Sequence, residues 1–149
     1  METKEVRNVV VVGAGVMGHS IAQVFAQAGI DVGLVDLDQK ILDRAVKLIR
    51  NNLSTLARLG KIRNNEISAT LDRIHPCTDL VSAAAGVDFA LEAVIEVPAV
   101  KKSVFSELSE LCPEHAVLAS NTSTLDIFNI LPLLSKITEF SGFGHRGIQ

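Results

Sequence analysis

Three closely spaced glycines and a later acidic residue are the first feature of the sequence that indicates chemistry. The segment Gly13-Ala14-Gly15-Val16-Met17-Gly18 fits the pattern G-x-G-x-x-G, and Asp36 lies eighteen residues beyond its last glycine. In such a segment Gly13 permits a tight turn, Gly15 leaves room for a pyrophosphate beside the backbone, and Gly18 lets a helix pack closely on a strand. Free amide groups and the positive end of the helix dipole then attract negative charge. The residues of this segment predicted to bind the dinucleotide are Gly13, Gly15, Val16, Met17 and Gly18.

Asp36 favours one form of the nicotinamide cofactor over the other. Its carboxylate can accept hydrogen bonds from both hydroxyl groups of the adenosine ribose, whereas a 2′-phosphate would face this charge with no arginine beside it. Lys40, one turn into the next helix, could reduce that repulsion. The sequence predicts NAD rather than NADP. The alternative is that the glycines serve only turns and that Asp36, jointly with Asp38, caps the following helix.

The elements predicted around this segment are alternating strands and helices. The run of valines at 9–12 is continuous and β-branched, as is typical of a strand covered on both faces of a parallel sheet. Further strands are predicted at 31–35, 74–78, 87–91, 116–119 and 137–143, and helices at 16–28, 38–59, 65–72, 80–85, 98–111 and 124–134. This alternation predicts a doubly wound, mainly parallel α/β sheet of the Rossmann type in a single domain.

Two local details of the helices are also predicted. In the helix after the glycines, an apolar stripe is expected to face the sheet and to consist of Ile21, Val24, Phe25 and Ala28. The short helix at 65–72 is expected to be capped by Asn64 or Asn65.

The composition argues against several classes of partner. A formal net charge of −3 provides no broad positive field, so nucleic acid is not predicted as a partner. No apolar run reaches the length of a membrane span, and residues 1–5 lack the apolar stretch of a secretory signal, which predicts a cytoplasmic protein. Cys77 and Cys112 lie far apart without clustered histidines, so neither a zinc site nor a disulfide is expected.

Two further segments narrow the family. These are Leu91-Glu92-Ala93-Val94-Ile95-Glu96, which Lys101 follows, and Ala119-Ser120-Asn121-Thr122-Ser123-Thr124-Leu125. Together with the glycine segment and Val35-Asp36, they resemble the NAD-binding domain of the L-3-hydroxyacyl-CoA dehydrogenases, including the 3-hydroxybutyryl-CoA dehydrogenases. The resemblance runs from about residue 6 to residue 142. It implies NAD as cofactor, an acyl-CoA substrate, and hydride transfer between NAD and the C3 hydroxyl of a 3-hydroxyacyl-CoA in fatty-acid metabolism.

Residues 92–96 and 120–124 are predicted to lie at the carboxyl ends of strands, where open α/β sheets bind their ligands. The resemblance implies that Ser123 faces the substrate, that Asn121 faces the nicotinamide, and that Glu96 and Lys101 lie beside the cofactor and the acyl-CoA. The alternatives are that Ser123 or Thr124 is only a helix cap and that Glu96 and Lys101 form an exposed ion pair of little energetic value.

The last residues differ from the family pattern. The resemblance implies a catalytic histidine after the sixth strand, but His145 comes one residue late and no Phe-Phe-Asn-Pro follows it. His145 is the candidate base, with no catalytic role as the alternative. The predicted organisation is an NAD-binding domain at 1–143 and an atypical tail at 144–149, with the family's helical substrate domain absent. Surfaces that this domain would cover predict a homodimer or larger assembly.

Three functional hypotheses remain open from the sequence. The chain is the cofactor domain of an NAD-dependent 3-hydroxyacyl-CoA dehydrogenase, an NAD-binding fragment without turnover, or the first domain of another NAD-dependent hydroxyacid dehydrogenase. The last hypothesis gives no reason for the segments at 91–96 and 119–125 to occur together.

Overall fold

A computed structural model describes residues 5–126 of the chain. Its five strands are β1 (Asn8–Val12), β2 (Asp31–Val35), β3 (Ile74–Cys77), β4 (Phe89–Glu92) and β5 (Val117–Ser120). Its five helices are α1 (Val16–Gln27), α2 (Gln39–Arg58), α3 (Asn64–Leu71), α4 (Leu80–Ala84) and α5 (Pro98–Leu111). All strand pairs are parallel, in the order β3-β2-β1-β4-β5. The predicted doubly wound Rossmann-type sheet is confirmed.

The valines of β1 show why the sheet is covered on both faces. Successive side chains of a strand point to opposite faces, so Val9 and Val11 join one core and Val10 and Val12 join the other. The first core packs against residues of α1, α2 and α3, and the second against residues of α4 and α5. A continuous apolar run is therefore needed at the centre of the sheet.

The apolar stripe predicted for α1 is only partly correct. Ile21 and Phe25 pack against the core, but Val24 is 66% exposed, and Ala28 is exposed at the C-cap of the helix. The buried face consists instead of Gly18, His19, Ala22, Gln23 and Ala26. Three of these five residues are small, and two are polar, whereas the stripe was predicted from the larger apolar side chains alone.

The cap predicted for α3 is wrong. Arg63 is the N-cap residue, and its backbone N–H donates to the Glu66 carboxylate at 2.7 Å. Glu66, in the third helical position, thus satisfies the N–H of the N-cap residue itself, and Asn64 and Asn65 are the first two residues of the helix.

The boundaries of other elements differ from the predictions by a few residues. β4 begins at Phe89 rather than at residue 87, and β5 ends at Ser120 rather than at residue 119. The helix predicted from residue 124 does not include residues 124–126, and its remainder and the strand at 137–143 lie outside the described residues. Across 5–126, no helix is both long and apolar enough to cross a bilayer.

Candidate functional site

The strand order reverses between β1 and β4, the two strands that flank the central crevice of the sheet. Val12 pairs in register with Glu92, and Glu92 pairs with Ser120 on the next strand. The glycine segment follows β1, residues 93–97 follow β4, and residues 121–126 follow β5. All three segments therefore lie at the same edge of the sheet. Ligands of open α/β sheets bind at this reversal point.

Two glycines of the segment are required by close backbone contacts. Gly13 has a φ of +101°, and its N–H donates to the carbonyl oxygen of Val35 at 2.7 Å. A Cβ atom on Gly13 would lie 2.6 Å from the Ala93 carbonyl oxygen, and one on Gly18 would lie 1.7 Å from the Gly13 carbonyl oxygen. Any other residue at either position would force the backbone to move, so both glycines pack the turn.

Gly15 has a different environment from the other two glycines. A Cβ atom built there meets nothing within 4 Å, so the space beside this backbone is open. Gly15 is the N-cap of α1, where no side chain caps the helix, and the next residues, Val16 and Met17, are exposed. Uncapped amide groups next to open space fit a diphosphate, which would supply both the missing acceptor and a charge favoured by the helix dipole.

The carboxylate of Asp36 is held by backbone groups from two segments. One oxygen accepts the N–H of Ala14 at 3.0 Å, and the other accepts the N–H of Asp38 at 3.2 Å. A carboxylate has about four acceptor positions, so two remain for ribose hydroxyls. The cap of α2 is Asp38, which accepts the N–H of Lys40 at 2.8 Å. Asp36 thus contacts the glycine turn in addition to the residues that precede α2.

A cavity of about 670 Å³ joins these two features. Gly13, Gly15 and Asp36 line it, and exposed apolar side chains, including Leu37 and Ile41, form part of its wall. Its size lies within the range of small-molecule and cofactor sites. Within residues 5–126, no basic side chain forms an ion pair with Asp36. The residues present therefore fit a dinucleotide whose adenosine ribose carries free hydroxyls.

Lys101 lies inside the protein, contrary to the alternative of an exposed ion pair. Its side chain is 1% exposed, and Nζ lies 2.6 Å from Glu92 Oε1 and 3.0 Å from Glu96 Oε1. Glu92 is fully buried, whereas about half of the Glu96 side chain is exposed. From the sequence, Glu92 was named only as part of the segment at 91–96, and no role was predicted for it. The available signal was an acidic residue ending a buried strand, with a lysine nine residues later, because a buried carboxylate needs a partner.

Hydrogen bonds connect these charged side chains to the segment after β5. Ser120 Oγ donates to Glu92 Oε2 at 2.5 Å, and Thr122 Oγ1 donates to Glu96 Oε2 at 2.7 Å. Thr124 also donates to Glu96, at 3.2 Å. The hydrogen bond from Thr122 is the largest cause that lowers the pKa of Glu96, desolvation opposes it, and Lys101 contributes to the lowering. Glu96 is therefore ionised at neutral pH.

The two residues that the resemblance assigns to nicotinamide and substrate flank Thr122. The Asn121 N–H donates to the Glu92 carbonyl oxygen at 2.9 Å. The half-buried Asn121 side chain has no hydrogen-bond partner among the described residues. Ser123 is exposed, and its hydroxyl has no hydrogen-bond partner among the described residues. His145, the candidate base, lies outside the described residues.

The comparisons with known proteins agree on one group. The family model described as 3-hydroxyacyl-CoA dehydrogenase, NAD binding domain, matches residues 8–144. The chain is 34% identical over 142 residues to the mitochondrial hydroxyacyl-coenzyme A dehydrogenase of Rattus norvegicus, a match that covers 92% of this chain and 45% of the rat protein. It is 38% identical over 122 residues to 3-hydroxyadipyl-CoA dehydrogenase of Escherichia coli, a match that covers 82% of this chain and 26% of that protein.

A solved structure gives the same result. The crystal structure of 3-hydroxybutyryl-CoA dehydrogenase from Escherichia coli superposes with a TM-score of 0.88 at 34% identity, over 93% of this chain and 29% of that one. The chain therefore spans less than half the length of each of these relatives.

Proposed function

Because the chain belongs to the family of NAD-binding domains of the 3-hydroxyacyl-CoA dehydrogenases, we propose that it forms the cofactor half of such an enzyme. The observation that carries the proposal is the open space beside Gly15, joined by one cavity to the carboxylate of Asp36. A glycine turn that only reversed the chain would need neither the open space nor an acid hydrogen-bonded to it.

Each part of the site has a task in this proposal. The amides of the glycine segment hold the diphosphate, and the Asp36 carboxylate accepts hydrogen bonds from the adenosine ribose. When bound, NAD supplies the acceptor for the hydride of a 3-hydroxyacyl-CoA. The Asn121 side chain binds the nicotinamide side, and the Ser123 hydroxyl donates a hydrogen bond to the C3 oxygen of the substrate.

Oxidation of a hydroxyl group also needs a base for its proton, and His145 is the proposed base. The histidines at 19, 75 and 115 do not compete for this role. The His19 ring hydrogen-bonds the Gly15 carbonyl oxygen, while His75 pairs with Asp31 and His115 pairs with Asp88.

A second candidate function is NAD binding without turnover. The histidine contacts favour it, because every histidine within residues 5–126 hydrogen-bonds a group other than Ser123. The two candidates share the cofactor site and differ only in the proton transfer.

Titration of the chain with NADH, followed by nicotinamide fluorescence, tests the shared site. Reduction of acetoacetyl-CoA by NADH then separates the candidates. Binding with turnover supports the dehydrogenase, and binding without turnover supports the binding domain. A chain that binds no NADH contradicts both.

Assembly and location are further parts of the proposal. Val24, which lies outside the proposed cofactor site and is 66% exposed, leaves apolar surface on α1, which supports a homodimer or a larger assembly. Sedimentation over a range of concentrations tests this, and a monomer at all concentrations contradicts it. A cytoplasmic location is proposed from the sequence, and imaging of the tagged chain in its own cells is the test.

A further inference from the structure

We propose that His19 is a positioning residue of the dinucleotide site. Its ring fixes the Gly15 carbonyl oxygen, and through it the direction of the backbone N–H that α1 presents to a diphosphate. The inference rests on the proposed function for the identity of the ligand. His19 is a buried histidine in the first turn of α1, and neither the cofactor contacts nor the proton transfer described above uses it.

The hydrogen bond of the His19 ring carries the first step. Nδ1 lies 2.7 Å from the Gly15 carbonyl oxygen. A carbonyl oxygen can only accept, so Nδ1 carries a hydrogen and donates it. The same oxygen accepts the backbone N–H of His19 at 3.1 Å, as the carbonyl of an N-cap residue does at the start of a helix. The Gly15 carbonyl group is therefore held by two donors of a single residue.

Fixing this carbonyl group also fixes an N–H group. A trans peptide unit is planar, and its C=O and N–H bonds point in opposite directions. The unit that contains the Gly15 carbonyl also contains the Val16 N–H, which belongs to the first turn of α1 and has no acceptor within a helix. Among residues 5–126 it has no other acceptor either. The Val16 N–H therefore points away from α1, beside the open space at Gly15.

Ser20 makes the same kind of contact one residue later. Its hydroxyl donates to the Val16 carbonyl oxygen at 3.0 Å, and that peptide unit contains the Met17 N–H. Ser20 Oγ also lies 3.5 Å from His19 Nε2, so the two side chains are neighbours. Two successive peptide units at the start of α1 are thus each held by the side chain four residues later.

Packing alone does not account for a histidine at this place. His19 is 7% exposed, and an apolar side chain would fill the same space without a polar atom that needs a partner. The Gly15 carbonyl oxygen does not need the ring either, because the His19 backbone N–H already satisfies it. The ring adds a second bond that restricts the direction of the peptide unit, and this direction matters for a ligand in front of the helix.

Three substitutions separate the donor at Nδ1 from the rest of the ring. The amide nitrogen of asparagine is as many bonds from Cα as histidine Nδ1, and the amide nitrogen of glutamine is as many as Nε2. His19→Asn therefore keeps a donor at the position of Nδ1, and His19→Gln moves the donor to the position of Nε2. His19→Phe keeps an aromatic ring and has no donor.

Titration with three ligands tests the positioning role. NADH and ADP-ribose both carry the diphosphate, and adenosine carries only the base and its ribose. His19→Phe is expected to bind NADH and ADP-ribose about three- to tenfold more weakly and to bind adenosine as before. His19→Asn should bind NADH within about twofold of the native chain, whereas His19→Gln should bind it as weakly as His19→Phe. His75→Phe makes the same substitution at an exposed histidine outside the cavity, and this matched control should change nothing.

Amide NMR of the chain without ligand provides a second readout. The nitrogen chemical shift of an amide responds to the hydrogen bonds that the carbonyl oxygen of its own peptide unit accepts. His19→Phe is expected to shift the Val16 signal, and His19→Asn is expected to return it toward its native position. Signals of β4 and β5 should stay unchanged in both variants. An unchanged Val16 signal in His19→Phe overturns the proposal.

Three binding results would overturn the positioning role. The first is equal NADH binding by the native chain and His19→Phe. The second is recovery in His19→Gln rather than in His19→Asn, which would mean that the ring contacts the ligand through Nε2. The third is an equal loss of adenosine binding, because the whole site would then depend on the ring.

Failure of this inference can be distinguished from failure of the proposed function. A native chain that binds neither NADH nor ADP-ribose contradicts the proposed function, while the Val16 signal still decides the positioning role. If His19→Phe does not fold, the comparison of His19→Asn with His19→Gln takes its place, and equal NADH binding by these two overturns the proposal.

Discussion

The carboxylate of Asp36 accepts the backbone N–H of Ala14 at 3.0 Å, which joins the end of β2 to the glycine turn after β1. The groups proposed to bind ribose and diphosphate are therefore held in one hydrogen-bonded unit. This relationship means that a change at Asp36 affects both the recognition of the ribose and the shape of the turn.

Asp36→Ala is expected to weaken NADH binding by about 10- to 100-fold, because charge-assisted hydrogen bonds to the ribose are lost. Binding of NADPH should fall less or should improve, since the repulsion of the 2′-phosphate is removed. Fluorescence titration with both cofactors measures this. Asp43→Ala removes the same charge from the exposed face of α2 and should leave both affinities unchanged. An unchanged ratio of the two affinities in Asp36→Ala would show that this residue does not recognise the ribose.

Alanine at two different glycines is expected to separate folding from binding. In Gly18→Ala the new Cβ would lie 1.7 Å from the Gly13 carbonyl oxygen, so the unfolding free energy should fall by about 1–3 kcal/mol or more. In Gly15→Ala the new Cβ would meet nothing within 4 Å, so stability should be kept while NADH binding is lost. Thermal unfolding and NADH titration of both variants are the measurements. Normal NADH binding by Gly15→Ala would contradict the placement of the diphosphate.

The thiol of Cys112 is expected to react slowly with iodoacetamide at neutral pH. Burial raises its pKa to about 11, and only the thiolate is nucleophilic. Alkylation, followed by mass spectrometry in a Cys77→Ser background, should be far slower than that of glutathione and should keep accelerating above pH 9. Denaturation in urea should remove the difference. A rate at pH 7 equal to that of glutathione would contradict the prediction.

Asp88 is expected to stabilise the start of β1 in a pH-dependent way. Its carboxylate accepts the N–H groups of Arg7 and Asn8, and these bonds lower its pKa below the ordinary value of 3.8. A lowered pKa in the folded state means that the stabilisation is present above pH 3.8 and is lost as pH falls through the folded-state pKa.

Asp88→Ala should therefore lower Tm at pH 7 by an amount equivalent to about 1–3 kcal/mol, with a smaller difference from the native chain near pH 2.5. Thermal unfolding at both pH values measures this. Glu114→Ala, a neighbouring exposed acid, is the control for charge alone. A difference that stays constant with pH would contradict the assignment.

Local sequence signals were sufficient for most of the fold. The valines of β1 indicated a strand buried on both faces, and Pro98 marked the first residue of α5. The order of the strands in the sheet is harder to predict from local sequence signals, because neighbouring parallel strands are far apart in the chain. The prediction for α1 failed at Val24, since the pattern of large apolar residues does not show that glycine, alanine and polar side chains form the buried face of this helix.

One part of the candidate site could be predicted from the sequence and another part could not. The spacing of Gly13, Gly15 and Gly18 before a helix, followed by Asp36 at the end of the next strand, was readable in the sequence because these residues act within one strand–helix–strand unit. The environment of Lys101 was not readable, because sequence spacing allowed both an exposed pair with Glu96 and a place beside the cofactor.

The sequence by itself determined the alternation of strands and helices, the glycine turn and the acid that accompanies it. Only the tertiary structure decided that Lys101 is buried between two glutamates and is linked to Thr122. The physical reason is the register of the sheet: Glu92 and Ser120 are twenty-eight residues apart in the chain, and parallel pairing of β4 with β5 brings their side chains into hydrogen-bond contact.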